Sequence, residues 1–153
     1  MIDKGLPSVL EFNCRLGDPE TQPVLSRLKS DFMEMAMAIA EERLSDINIQ
    51  WIPEPAVCVV ISSEGYPGKY RKGDVITGID EANKLSGVHV FHAGTAFKNN
   101  SIVTAGGRIL GVTATGSDIT KAKQKAYEAV EKIQFKGMHY RKDIADRAIN
   151  RES

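Results

Sequence analysis

The chain has 153 residues, a 42% apolar share, and 20 basic residues against 20 acidic ones, for a formal net charge of zero. That is enough chain for one core, or for one domain with a smaller piece attached, and the charge balance speaks against a dedicated nucleic-acid binder, which carries a basic surplus. No apolar run nears the roughly 20 residues needed to span a bilayer, and Asp3, Lys4, Gly5 and Pro7 interrupt any leader-like stretch, so the expectation is a cytoplasmic protein with no membrane partner.

In chain order, Met1 to Leu10 reads as a short strand, a turn at Lys4-Gly5, and entry into a second strand. The second strand carries the densest cluster of chemistry in the chain, Glu11-Phe12-Asn13-Cys14-Arg15-Leu16-Gly17-Asp18-Pro19-Glu20-Thr21-Gln22. Glu11, Asn13 and Arg15 alternate with Leu10, Phe12 and Cys14, so on a strand they share one face, with neighbours roughly 6–7 Å apart. The side chains of Glu11 and Asn13 can lean together onto one Mg²⁺, whose bonds are about 2.1 Å. Arg15 can then reach a phosphate oxygen held by the same ion. The plain alternative is a half-exposed sheet edge with one polar face.

Gly17-Asp18-Pro19 ends that strand. Pro23 suits a first helical turn, with Thr21 or Gln22 near the N-cap. From Val24 to about Leu44 the apolar residues Leu25, Leu28, Phe32, Met35, Ala36 and Ile39 recur at helical spacing, which predicts one helix with a buried stripe. Trp51-Ile52-Pro53-Glu54-Pro55 cannot continue a helix, and a boundary is expected there, giving pieces 1–50 and 51–153. Ala56 to Ile61 is a central strand, followed by a Gly- and Pro-punctuated loop to Tyr70. Val75 to Ile79 and Val88 to Thr95 read as strands, and His89 and His92, an odd number apart, would face opposite sides. Asn99-Asn100 is a turn. Ser101 to Thr104 and Arg108 to Thr115 read as a hairpin around Gly106-Gly107. Ser117 or Asp118 caps a last helix with a buried stripe of Ile119, Ala122, Ala126, Ala129, Val130 and Ile133. The last few residues are expected to fray. Cys14 and Cys58 lack metal-ligand spacing and read as two buried free thiols. No Gly-x-Gly-x-x-Gly or Walker pattern is present. The fold class expected is α+β: an antiparallel sheet packed by helices.

The motif resembles the end of the ATP-grasp domain of the phosphoribosylamine–glycine ligase (glycinamide ribonucleotide synthetase) family, which reads Glu-Phe-Asn-x-Arg-x-Gly-Asp-Pro-Glu-Thr-Gln there. The Gly65-Tyr66-Pro67, Phe91-His92-Ala93-Gly94-Thr95 and Tyr140-Arg141-Lys142-Asp143-Ile144 runs are similar to the same family. The resemblance covers almost the whole chain. It implies the terminal hairpin and helix of an ATP-grasp domain, followed by an antiparallel, barrel-like C-terminal domain. It implies that Glu11 and Asn13 bind the Mg²⁺ or Mn²⁺ carrying ATP, and that Arg15, Gly17 and Asp18 line the substrate side, with Arg15 also catalytic. Arg141 or Lys142 could meet a phosphate or form an ion pair with Asp143 or Asp146. The implied reaction joins glycine and 5-phosphoribosylamine at the expense of ATP. The family's glycine-rich lid, adenine pocket and phosphate-holding lysines lie upstream of this segment, so the chain alone is expected to be inactive without the missing N-terminal portion. It would then be a truncated product or one half of a split enzyme. The competing expectation is a non-catalytic assembly or binding module that has kept the fold.

Overall fold

The computed structural model describes residues 1–152. A two-residue hairpin opens the chain, β1 (Ile2–Asp3) against β2 (Leu6–Pro7), closed by Lys4 and Gly5, both at positive φ. The ladder stops there. Residues 8–17 follow without regular structure, so the motif is not a strand. The reason is a missing partner: an isolated two-stranded ribbon is not stable alone, and no neighbouring strand among the described residues offers its backbone a ladder.

The long helix expected from Val24 is two short ones, α1 (Thr21–Ser26) and α2 (Phe32–Ala40). Between them the backbone turns away, and Leu28 forms a bridge with Trp51. Asp31 then starts α2 by accepting from the Met33 and Glu34 N–H groups at 2.7 and 3.2 Å. That is a stronger local instruction than the apolar periodicity running across it. Nor is the stripe buried: Ala38 is the one buried residue of α2, while Phe32, Met33, Met37 and Ile39 are exposed. A 3₁₀ turn at Leu44–Asp46 leads into the connector.

The core lies beyond residue 55. β3 (Ala56–Ser63) alternates half-buried and buried along its whole length. α3 (Ile79–Asn83) begins at the last residue of the strand expected over Val75–Ile79, because Gly78 at φ +82° turns the extended run and becomes the helix N-cap. Val75 and Thr77 keep only single bridges, to Val103 and Gln134. β4 (Val88–His92) stops before Ala93-Gly94. β5 (Thr95–Lys98) and β6 (Ser101–Thr104) then form a hairpin on the Asn99-Asn100 turn, both residues at positive φ. β7 (Arg108–Thr115) does not pair with β6, as the Gly106-Gly107 reading required. It runs antiparallel between β4 and β3. α4 (Ile119–Lys132) is capped by Asp118, β8 (Met138–Tyr140) adds to the end of β3, and α5 (Asp146–Glu152) forms where fraying was expected.

The main sheet has the order β4-β7-β3-β8 and is entirely antiparallel. It is open, and the barrel-like closure does not occur. Val57, Val59 and Ile61 of β3 and Leu110, Val112 and Ala114 of β7 pack with Ala122, Ala126, Ala129, Val130 and Ile133 of α4 and its end. This is the stripe expected of α4. α1 contacts β3 and β7. Six consecutive residues of β7, Ile109 to Ala114, are buried, as a strand shielded on both faces must be. Among the described residues no helix is long and apolar enough to cross a membrane.

Candidate functional site

Glu11 and Asn13 meet, as their spacing allows: Asn13 Nδ2 donates to Glu11 Oε1 at 3.0 Å. Both side chains are exposed. With the amide N–H spent on the carboxylate, Asn13 Oδ1 and the second Glu11 oxygen are left facing solvent as two hard oxygen donors. Mg²⁺ takes such a set, because it keeps several waters and accepts phosphate oxygens for the rest of its shell. Among the described residues no three His, Cys, Asp or Glu side chains gather into a cage that would hold an ion unaided.

Arg15 does not join this pair. Its guanidinium turns along the chain, donating to the Leu16 carbonyl at 3.5 Å and lying near Gly17. Gly17 is the pivot of a tight bend. Its carbonyl accepts from the Thr21 hydroxyl at 2.5 Å and from the Thr21 N–H at 2.9 Å, which fixes the start of α1. Glu20 folds back over Gly17. Asp18 leaves the bend toward the sheet and pairs with Arg108 Nη1 at 3.2 Å. The Arg108 guanidinium lies 6.0 Å from the Tyr66 ring centroid, within cation–π range. Tyr66 in turn packs edge-on against Tyr70. Gly107 makes this possible, since a Cβ there would fall 2.0 Å from the Tyr66 ring. Gly107 and Arg108 are not apparent as site residues from sequence, whereas Tyr66 lies in the Gly65-Tyr66-Pro67 run that the sequence singles out. The Gly-Gly pair is visible, but it serves close approach and not a turn, and neither glycine takes positive φ.

Two clefts flank this centre. One, of about 490 Å³, is lined by Glu64, Lys69, Tyr70, Arg71, Asp74 and Lys136 among others, with Arg71 paired to Asp74 at 2.9 Å. The other, of about 450 Å³, lies between α1 and β4, and its lining includes Gln22, Leu25, His89, Phe91 and His92. The two histidines therefore line one cleft, because the strand ends at His92, where Nδ1 meets Thr95 Oγ1 at 3.0 Å. Cys14 is exposed, against the expectation of two buried thiols. Cys58 lies partly under α1, and burial pushes its thiol pKa up, away from reactivity. At the C-terminal end Arg141 forms a two-pronged ion pair with Asp143, at 2.9 and 2.6 Å. Its carbonyl accepts from Tyr127 Oη at 2.7 Å. Of the two roles open to Arg141, the structure gives the ion pair.

The fold, an open antiparallel sheet backed by α4, is shared with a ligase of known structure. A crystal structure of phosphoribosylamine–glycine ligase from Thermotoga maritima superposes with a TM-score of 0.70 at 36% identity, over 94% of this chain and 34% of that one. Residues 56–147 match the family described as "Phosphoribosylglycinamide synthetase, C domain", and the chain belongs to that family. The phosphoribosylamine–glycine ligase of Neisseria meningitidis serogroup A is 51% identical over 99% of this chain. That of Pseudomonas aeruginosa is 52% identical over the same share. The chain spans 36% and 35% of those two relatives, and it corresponds to a C-terminal portion of such a ligase.

Proposed function

We propose that this chain is the C-terminal part of an ATP-dependent carboxylate–amine ligase of purine biosynthesis, working in the cytoplasm. On this reading residues 1–50 complete an ATP-grasp domain and residues 51–153 form the C-terminal domain. In the assembled enzyme the glycine carboxylate attacks the γ-phosphorus of ATP, releasing ADP and leaving glycyl phosphate. The amine of 5-phosphoribosylamine then attacks the acyl carbon, the C–O bond to phosphate breaks, and the amine loses a proton to give glycinamide ribonucleotide. Glu11 and Asn13 would hold Mg²⁺ or Mn²⁺, which supplies charge neutralisation on the nucleotide oxygens. Arg15, freed from the Leu16 carbonyl it meets only at 3.5 Å, is suited to an anionic oxygen of the reacting groups. Gly17 and Asp18 contribute a close backbone approach and a carboxylate that accepts from a substrate N–H or O–H. The observation that carries this reading is the Glu11–Asn13 contact, a carboxylate and an amide held 3.0 Å apart on one exposed segment.

The decisive assay mixes the chain with the upstream two-thirds of a related ligase and follows ADP release that depends on both glycine and phosphoribosylamine. Turnover is expected in the mixture and not in the chain alone. Glu11→Ala or Asn13→Ala is expected to reduce it by roughly a hundredfold or more, the upper end of what disturbing a metal's protein partners costs. A stable complex that never turns over would favour the non-catalytic assembly module instead.

A further inference from the structure

Arg108 opens β7, yet it does not face where strand alternation would send it. Leu110, Val112 and Ala114 stand opposite Ile61, Val59 and Val57 on the face covered by α4. Unbroken alternation would put Arg108 on that apolar face too. The register shifts between Ile61 and Ser62, so Ile109 is passed over and Arg108 stands opposite Ser62. Ser62 shares its face with Cys58 and Val60, the side on which α1 lies. Bulges re-aim side chains in this way. Here the bulge delivers a guanidinium to Asp18 at 3.2 Å, laid against a ring that Gly107 has made room for. Among the described residues it is the one ion pair joining residues 1–55 to the sheet. Its partners are 41% and 61% exposed, and so open a pair adds little to stability. A bulge, a bare glycine and a neighbouring ring are more than a surface contact requires.

We propose that Arg108 is a positioning residue that anchors Asp18, and with it the Gly17 bend, at a fixed place over the sheet. The inference rests on the reading of Asp18 as a substrate-binding group. Arg108 acts through Asp18, so the two form one unit, and losing either loses the same thing.

Two measurements test this. In the chain itself, Arg108→Ala is expected to speed hydrogen exchange of the Thr21 amide, which reports the bend, by roughly tenfold, while the Val59 and Val112 amides keep their protection. In the complete ligase polypeptide carrying this segment, Arg108→Ala and Asp18→Asn are each expected to lower kcat/KM for phosphoribosylamine by roughly tenfold to a hundredfold, as for a misplaced reacting group. The double variant should be no worse than the weaker single one, and the KM for Mg-ATP should stay within about twofold. Arg108→Lys, which keeps the charge but not the planar guanidinium beside the Tyr66 ring, should recover only part. Fully additive losses, or Thr21 exchange unchanged in Arg108→Ala, would overturn the anchor. Should the wild-type polypeptide itself fail to turn over, the ligase reading falls, and Thr21 exchange still decides for or against Arg108.

Discussion

At the scale of single residues, Asp118 shows how a cap becomes a pH response. Its carboxylate accepts from the Lys121 N–H at 2.7 Å and from the Ser117 hydroxyl at 2.9 Å. These bonds, the backbone one foremost, hold its pKa below the ordinary carboxylate value. A pKa lowered by folding stabilises the fold above the unfolded value of about 3.9, and that contribution is lost as pH falls through the folded value. Asn caps about as well and does not titrate. Melting temperature should therefore fall more steeply between about pH 5 and pH 3 in the wild type than in Asp118→Asn. Equal slopes would remove Asp118 from the acid response. Asp118 was legible in sequence because a cap is local. Arg108 was not, since its direction depends on a bulge set by the register of two strands far apart in the chain.

Among the elements, those read correctly are the ones whose signal is internal: the apolar run of β3, the stripe of α4, the Asn99-Asn100 turn. The break between α1 and α2 was also written in the sequence. Asp31 with Glu34 three residues on is the signature of a new helix start, but the apolar spacing running through it is the louder pattern. The motif strand failed for the opposite reason, since a strand needs a partner that its own residues cannot name. Gly78 is the sharpest case of an element set by one position. It sits at φ +82°, and a Cβ there would lie 1.8 Å from the Lys132 carbonyl oxygen at the end of α4. Gly78→Ala should cost at least about 2 kcal/mol, from the left-handed backbone penalty plus the clash. Chemical denaturation would measure it, and a loss well under half that figure would mean the turn relaxes freely.

For the whole molecule, the contrast is between a well-filled sheet and an uncovered N-terminal segment. Val9, Leu10, Phe12, Phe32, Met33 and Ile39 are all exposed, Phe12 to 85%. So much apolar surface marks a missing neighbour, and on the functional reading the neighbour is the upstream part of the ligase. Alone, the chain is expected to associate with rising concentration in sedimentation. Phe12→Ser with Phe32→Ser should reduce this, and monodisperse behaviour at high concentration would argue that the segment needs no cover. One consequence follows from β7 being enclosed on both sides. The guanidinium that meets Asp18 is mounted at the end of a strand buried over six residues, so its aim is referenced to the interior and not to a loop. An enlarged side chain at the fully buried Ala114 is expected to lower the melting temperature by overpacking and, by shifting the strand, to speed exchange of the Thr21 amide at the far end.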